Sequence, residues 1–217
     1  MPLKGAFINL GAGLLGALPN IVIFQFNPLR VTHTPALVQP PAPETGSGAR
    51  DATQQPGQPN ESYSFSLQID ATDQLASSNP IAAASGILPA LSALELLLVP
   101  KSSLTIDLFK LSGDKKPHQH PPERLPTILF FWGPFRILPV TINSLSISET
   151  EYDQLLNPIR AEVSVSLQVL TPGQLAKDQE FARGAYKYSQ GVKEVMAALN
   201  LANTAAMGIS GGISLSF

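Results

Sequence analysis

Ile159-Arg-Ala-Glu-Val-Ser-Val-Ser-Leu-Gln-Val-Leu170 sets Val163, Val165, Leu167 and Val169 on one parity and Glu162, Ser164, Ser166 and Gln168 on the other. A period of two marks a half-buried strand, because successive side chains leave opposite faces of a sheet. The same period recurs upstream, where Tyr63, Phe65, Leu67 and Ile69 alternate with Ser62, Ser64, Ser66 and Gln68. Each strand therefore has an apolar face and a polar one dominated by serine, and the fold is organised around a sheet with one buried side.

Between these two strands lies a hairpin signature. Thr127 to Trp132 and Phe135 to Ser148 read as strands around a Gly133-Pro134 turn. Val140 and Ile142 share one parity, Leu145 and Ile147 the other, so a bulge near Asn143-Ser144 is expected. The following spacing makes Ile159–Leu170 antiparallel to this strand, with Glu149-Thr-Glu151 read as the turn. Residues 20–26 form a further strand, stopped at Asn27-Pro28, and Leu104 to Phe109 a short one. Asn79-Pro80 opens a helical stretch to Val99 that restarts at Pro89. Thr171-Pro-Gly-Gln174 is a capping-box pattern for a helix to about Ala206, with Phe181, Ala185, Tyr188, Val192, Val195 and Leu199 as its apolar stripe. Residues 1–19 read as a glycine-rich arm and Leu29 to Asn60, with six prolines from Pro35 to Pro59, as an exposed loop. The fold class is mainly β with flanking helices: antiparallel strands over 20–170, then a C-terminal helix and a Gly/Ser tail over 171–217.

Composition narrows function by exclusion. Only 14% of residues are charged and the net charge is −2, against about 25% charged in an average protein. Fourteen Lys and Arg spread along the chain do not make a nucleic-acid surface, which needs clustered cations to displace counterions. The absence of cysteine removes disulfide frameworks and thiolate metal sites. Ile81 to Val99 approaches the ~20 residues of a membrane span, but Gly86, Pro89 and Glu95 interrupt it, and a pair of short buried helices is expected. Met1 to Leu18 lacks the basic cluster and cleavage site of a signal peptide.

Three chemical motifs fail on context. Gly11-Ala-Gly-Leu-Leu-Gly16 matches a dinucleotide fingerprint by letter, but no helix follows and the first acid is Glu44. Gly208-Ile-Ser-Gly-Gly212 matches a nucleophile elbow, yet no Asp or His follows it. His118, His120 and Glu123 in a Pro-rich loop do not complete a tetrahedral metal site with His33 alone. The residues name no enzyme, cofactor or metal.

Two segments together carry a likeness. Ile23-Phe24-Gln25-Phe26-Asn27-Pro28 resembles the opening strand of tube and baseplate-adaptor proteins of phage-tail-like contractile injection systems. The run from His120-Pro-Pro through Phe131-Trp132-Gly133, Pro139 to Ser148 and Ile159-Arg160 to Leu167 is similar to the second half of that family's domain. The resemblance covers residues 20–170 in order and spacing, and rests on Phe24, Gln25, Phe26, Asn27, Pro28, Phe131, Trp132, Gly133 and Arg160 as assembly-motif residues.

It implies a tail-tube-like fold, an antiparallel β-sandwich or partial barrel over 20–170, and a non-enzymatic homo-hexameric ring. Such a ring joins the baseplate spike and hub to the inner tube and initiates tube assembly, in particles that assemble in the cytoplasm. Implied partners are copies of the chain itself, the inner tube protein, the spike or hub protein and other baseplate components, without nucleic acid or membrane insertion. Family members often continue into a peptidoglycan-binding domain, whereas here a helix and tail follow Thr171, which favours a pared-down tube-initiating layer. A tube cap or main tube subunit, and a stand-alone β-sandwich ligand-binding module, are the alternative readings.

Overall fold

The computed structural model describes residues 3–10, 20–38, 57–99 and 125–206. The elements in order are β1 (Ala6–Asn9), β2 (Asn20–Ile23), β3 (Val31–Ala36), β4 (Asn60–Asp70), α1 (Thr72–Ala76), α2 (Pro80–Ser85), α3 (Leu88–Glu95), β5 (Ile128–Phe131), β6 (Ile137–Tyr152), β7 (Pro158–Val169) and α4 (Glu180–Ala206). Among the described residues the strands make one sheet in the order β2-β1-β5-β6-β7-β4-β3, antiparallel at every step.

The sheet curls on itself. β1 and β4 are four steps apart, which in a flat sheet is about 19 Å at ~4.8 Å per strand. Yet the Phe7 ring of β1 stacks on Phe65 of β4 at 6.2 Å between centroids, and Phe65 stacks on Phe130 of β5 at 5.4 Å. The apolar parities of β4 and β7 face this interior, which α3 fills with Leu91 and Leu94. Of the two architectures expected, a two-sheet sandwich or a partial barrel, the single curled sheet corresponds to the second, and the class is mainly antiparallel β with flanking helices.

The alternating strands form β4 and β7: β4 is longer at both ends than expected, and β7 starts one residue earlier, at Pro158, and ends one earlier, at Val169. The register of β6 against β7 jumps from Ile142↔Leu167 to Ser144↔Ser166, leaving Asn143 as the extra residue of the expected bulge. Ile81–Val99 resolves into α2 and α3, with the Asn79 side chain accepting from the amides of Ile81 (2.9 Å) and Ala82 (3.3 Å).

Several expectations need correction. Val31–Ala36 is a strand on the sheet edge rather than loop, held by antiparallel pairing to β4 although Thr32 to Ala36 are all exposed. Ala6–Asn9, expected in an arm, lies inside the sheet between β2 and β5. β2 ends at Ile23 rather than Phe26. Glu149 to Glu151 belong to β6, and the turn forms at Asp153–Asn157, where the Asp153 carboxylate accepts from the Leu155 and Asn157 amides, both at 2.8 Å. The Thr171–Gln174 pattern closes an isolated turn, Thr171 amide to Gln174 Oε1 at 2.9 Å, and α4 starts only at Glu180. Leu175 is buried in between and its carbonyl is held by Arg183 at 2.7 Å, so the chain packs there instead of coiling.

The largest correction concerns the face of α4. Ala182, Tyr186 and Ser189 are the buried side, whereas Phe181 (70% exposed), Tyr188 (48%), Val195 (57%) and Leu199 (56%) of the expected stripe face outward. Ser189 fixes the packing by donating to the Ile137 carbonyl (2.7 Å) and accepting from the Ile137 amide (3.1 Å) at the start of β6. Gly184 and Gly191 have nothing within 4 Å of the place a Cβ would occupy. Each costs a helix about 1 kcal/mol relative to alanine, so Gly184→Ala and Gly191→Ala are each expected to raise the unfolding free energy of the isolated chain, read from urea denaturation, by about that increment.

The residues Gly11–Gly16, Leu104–Phe109, His118, His120, Glu123 and Gly208–Gly212 lie outside the described residues. No helix among those described is long and apolar enough to cross a membrane.

Candidate assembly surfaces

The Phe24–Pro28 segment works as a staple across one end of the barrel. Phe24 is buried against Phe7, with centroids 5.0 Å apart, and against Trp132 at 6.5 Å. Gln25 pairs with the Asp70 backbone twice, its Nε2 donating to the carbonyl (2.6 Å) and its Oε1 accepting from the amide (2.9 Å). Asn27 does the same for the N-terminal segment, donating to the Leu3 carbonyl and accepting from the Gly5 amide, both at 2.9 Å. Two amide side chains thus satisfy backbone groups that the residues before β1 and the end of β4 would otherwise leave open. Gly5 is needed for this closure, because a Cβ there would meet Phe24 and Trp132 at 2.7 to 2.8 Å.

The other sequence-derived residues distribute around this staple. Arg160 donates from Nε to Asp70 at 2.7 Å and pairs with Glu151, so it joins the Gln25–Asp70 corner. Thr72 hydrogen bonds come first and Arg160 second in holding the Asp70 carboxyl below the ordinary carboxylate range. Phe26 is exposed and, with Asp70 and Arg160, lines a small cavity beside the corner. Trp132 is half-buried on Phe130, and Gly133, at φ +82°, makes the β5–β6 turn. Pro28 lines the groove described next, while Phe131 ends β5 between Ala6 of β1 and Ile137 of β6.

Across β3, β4, β7 and β6 the outer face carries rows of hydroxyls. Thr32, Ser64, Ser166 and Ser144 align in one row, Ser66, Ser164 and Ser146 in the next, and Gln68, Glu162 and Ser148 in a third. Ser66 and Ser164 touch at 3.3 Å. The rows floor a groove of about 490 Å³ whose charged lining is Arg30 and Glu162. Serine has no β-branch to favour a strand, so its repetition on three neighbouring strands is not explained by sheet stability.

At the opposite end of β4 sits a buried charge. Glu61, 3% exposed, receives two bonds from Lys193 of α4 (2.6 and 2.8 Å), one from Gln190 (3.2 Å), and lies 3.0 Å from His33 of β3. The His33 ring stacks on the Tyr63 ring at 4.4 Å, and the Arg136 guanidinium lies over the Tyr63 ring, 5.7 Å from its centroid. Burial pushes the Tyr63 hydroxyl up to about 12. Burial also acts to raise the Glu61 carboxyl, but Lys193, Gln190 and His33 outweigh it and hold the pKa below its ordinary value.

That sign sets a pH dependence. A depressed carboxyl pKa gives stability that is complete above the unfolded value of about 4.5 and is lost as pH falls through the folded one. Glu61→Gln is expected to flatten the fall in urea midpoint between about pH 5 and pH 3, since the buried carboxylate is part of its cause. Asp70, depressed likewise, retains a residual slope in that variant.

Sequence reasoning missed Glu61, Lys193 and His33 because they are far apart in the chain, and missed the exposed tip formed by Tyr152, Leu155 and Leu156. Leu156 there has φ +63°, a conformation that costs a branched residue about 1 kcal/mol or more. No family model matches the chain, and a search of curated proteins returns no match.

Proposed function

We propose that the chain is a structural ring subunit at the base of a phage-tail-like contractile injection particle, six copies forming the layer that seats the inner tube on the spike and hub. The observation that carries this reading is the neutral hydroxyl face spanning four strands and ending at the edge strand β3. A surface of serines with few charges suits the wall of a channel, because it is wettable without holding a passing chain by charge. The order of segments resembling tube and baseplate-adaptor proteins supports it. The mechanism is assembly, with no catalytic step, and the particle forms in the cytoplasm.

Edges supply the contact. An unpaired edge invites another strand, and β2 exposes Ile21 and Ile23 beside a cleft of about 270 Å³ lined by Ile81, Pro89 and Ala90. Because every neighbouring pair is antiparallel, β2 and β3 run in the same direction. Copies related by rotation about one axis therefore bring β3 of one against β2 of the next in parallel, a heterologous contact that closes into a ring. The chain has no cysteine, so Ile23→Cys with Thr32→Cys tests this cleanly. Oxidation is expected to give a ladder of covalent oligomers ending at six, and an unlinked chain would count against edge pairing.

A second reading is favoured by the groove itself, whose hydroxyls, Phe26 and Arg30 also suit a neutral saccharide. A monomer whose melting temperature rises with oligosaccharide would select that ligand-binding module instead.

A further inference from the structure

Glu61 occupies a position that the rest of its strand gives to apolar side chains. It shares the buried parity of β4 with Tyr63, Phe65, Leu67 and Ile69. Its two oxygens serve two different elements. Oε1 accepts from Lys193 (2.6 Å) and Gln190 (3.2 Å) of α4, while Oε2 accepts from Lys193 (2.8 Å) and lies 3.0 Å from Nε2 of His33 on β3. Lys193 bridges both oxygens, and so fixes the carboxylate plane in which His33 finds its partner.

Each element relies on this contact at its least supported part. β3 is an edge strand with Thr32 to Ala36 exposed, and among the described residues His33 is its one side chain hydrogen-bonded beyond the strand. The first half of α4 packs on the sheet through Ala182, Tyr186 and Ser189. Among the described residues Lys193 is the last of the helix bonded to the barrel, and from Glu194 to Asn203 every residue is exposed.

The two ties reinforce one another for an electrostatic reason. β3 lies across Glu61, with Pro35 opposite it in register and the His33 ring stacked on Tyr63. While β3 is seated it keeps water from the carboxylate, and the attraction of Lys193 for Glu61 acts at low dielectric. When β3 lifts, the carboxylate hydrates and the ion pair falls to the small worth of an exposed one. When Lys193 leaves instead, the buried carboxylate is short of partners, and lifting the strand that covers it lets water in.

We infer that Glu61 couples the edge strand β3 to the outer half of α4, so that seating β3 holds the helix beyond Lys193 and releasing either loosens the other. The device is built from contacts within one chain and stands whether or not β3 pairs with a neighbour. Where it does pair, the pinned edge stiffens α4.

Hydrogen exchange of the full chain, followed by mass spectrometry over residues 194–203, tests the coupling. Thr34 lies opposite Ser62 and the chain has no cysteine, so oxidised Thr34→Cys/Ser62→Cys pins β3 to β4 without altering Glu61. Oxidation is expected to slow exchange over 194–203 at least about threefold relative to the same variant reduced. His33→Ala should speed it by a similar factor, and His33→Gln, whose amide still donates, should reverse that change. Adding Glu61→Leu to the cysteine pair should abolish the response to oxidation, since the shared acceptor is gone. Exchange over residues 161–169 of β7 gauges global unfolding, and the changes over 194–203 are expected without a matching change there. Working in Ile21→Lys/Ile23→Lys, which removes edge pairing between copies, makes the result independent of the ring. No response to oxidation, or the same response with Glu61→Leu, would overturn the coupling.

Discussion

Gly86→Ala is expected to lower the unfolding free energy by about 3 kcal/mol or more. Gly86 ends α2 with φ +56° and ψ −128°, a region open to glycine and strained for any residue with a Cβ. The added methyl would also lie 2.1 Å from the Pro158 carbonyl oxygen. That oxygen is backbone at the start of β7 and accepts from the Ile87 amide at 2.8 Å, so it cannot move aside without unseating α3. Since α3 supplies Leu91 and Leu94 to the barrel interior, the strain propagates into the core. Urea denaturation with Gly57→Ala as control, where nothing lies within 4 Å, measures the difference. A change below about 1 kcal/mol would remove the claim that Gly86 fixes α3 against β7.

Lys193→Met is expected to cost about 3 kcal/mol near neutral pH, because it leaves the buried Glu61 carboxylate with only Gln190 and His33. Without the ammonium group, burial dominates and the Glu61 pKa rises above its ordinary value. The sign of the pH dependence then reverses for this group. A raised carboxyl pKa gives stability that is present at low pH and lost as pH rises through it, so the variant weakens as pH rises above about 4.5, where the parent already holds its full contribution from Glu61. Glu61→Gln/Lys193→Met should recover most of the loss, since both charges are gone. Urea midpoints at several pH values read out both the size and the slope.

What was legible in the sequence was whatever one face of one element determines. β4 and β7 were readable because a buried side and a solvated side alternate in every residue, and the phase change in β6 gave the bulge. β3 was not, because Val-Thr-His-Thr-Pro-Ala has no buried side and exists as a strand only through pairing with β4. α4 misled in an instructive way. Its apolar period was real, but the side that packs on the sheet is made of Ala182, Tyr186 and Ser189, the serine bonded to Ile137. Periodicity reports that a face seeks a partner and not which partner it finds. The Phe24–Pro28 motif was visible as a string, yet the roles of Gln25 and Asn27 as backbone staples needed the positions of Asp70, Leu3 and Gly5. The Glu61 cluster joins residues from three elements, 28 and 132 positions apart, and no local pattern announces it.

The central claim is that copies of this chain close a ring through its edge strands, with the serine face toward the opening. Native mass spectrometry of the purified full chain, paired with negative-stain images of the same sample, tests it most directly. The account predicts a species of six 23.1 kDa chains, seen as rings with a central hole and abolished by Ile21→Lys/Ile23→Lys. A chain that never exceeds two copies at any concentration, and forms no ring when mixed with tube and spike proteins, would contradict it.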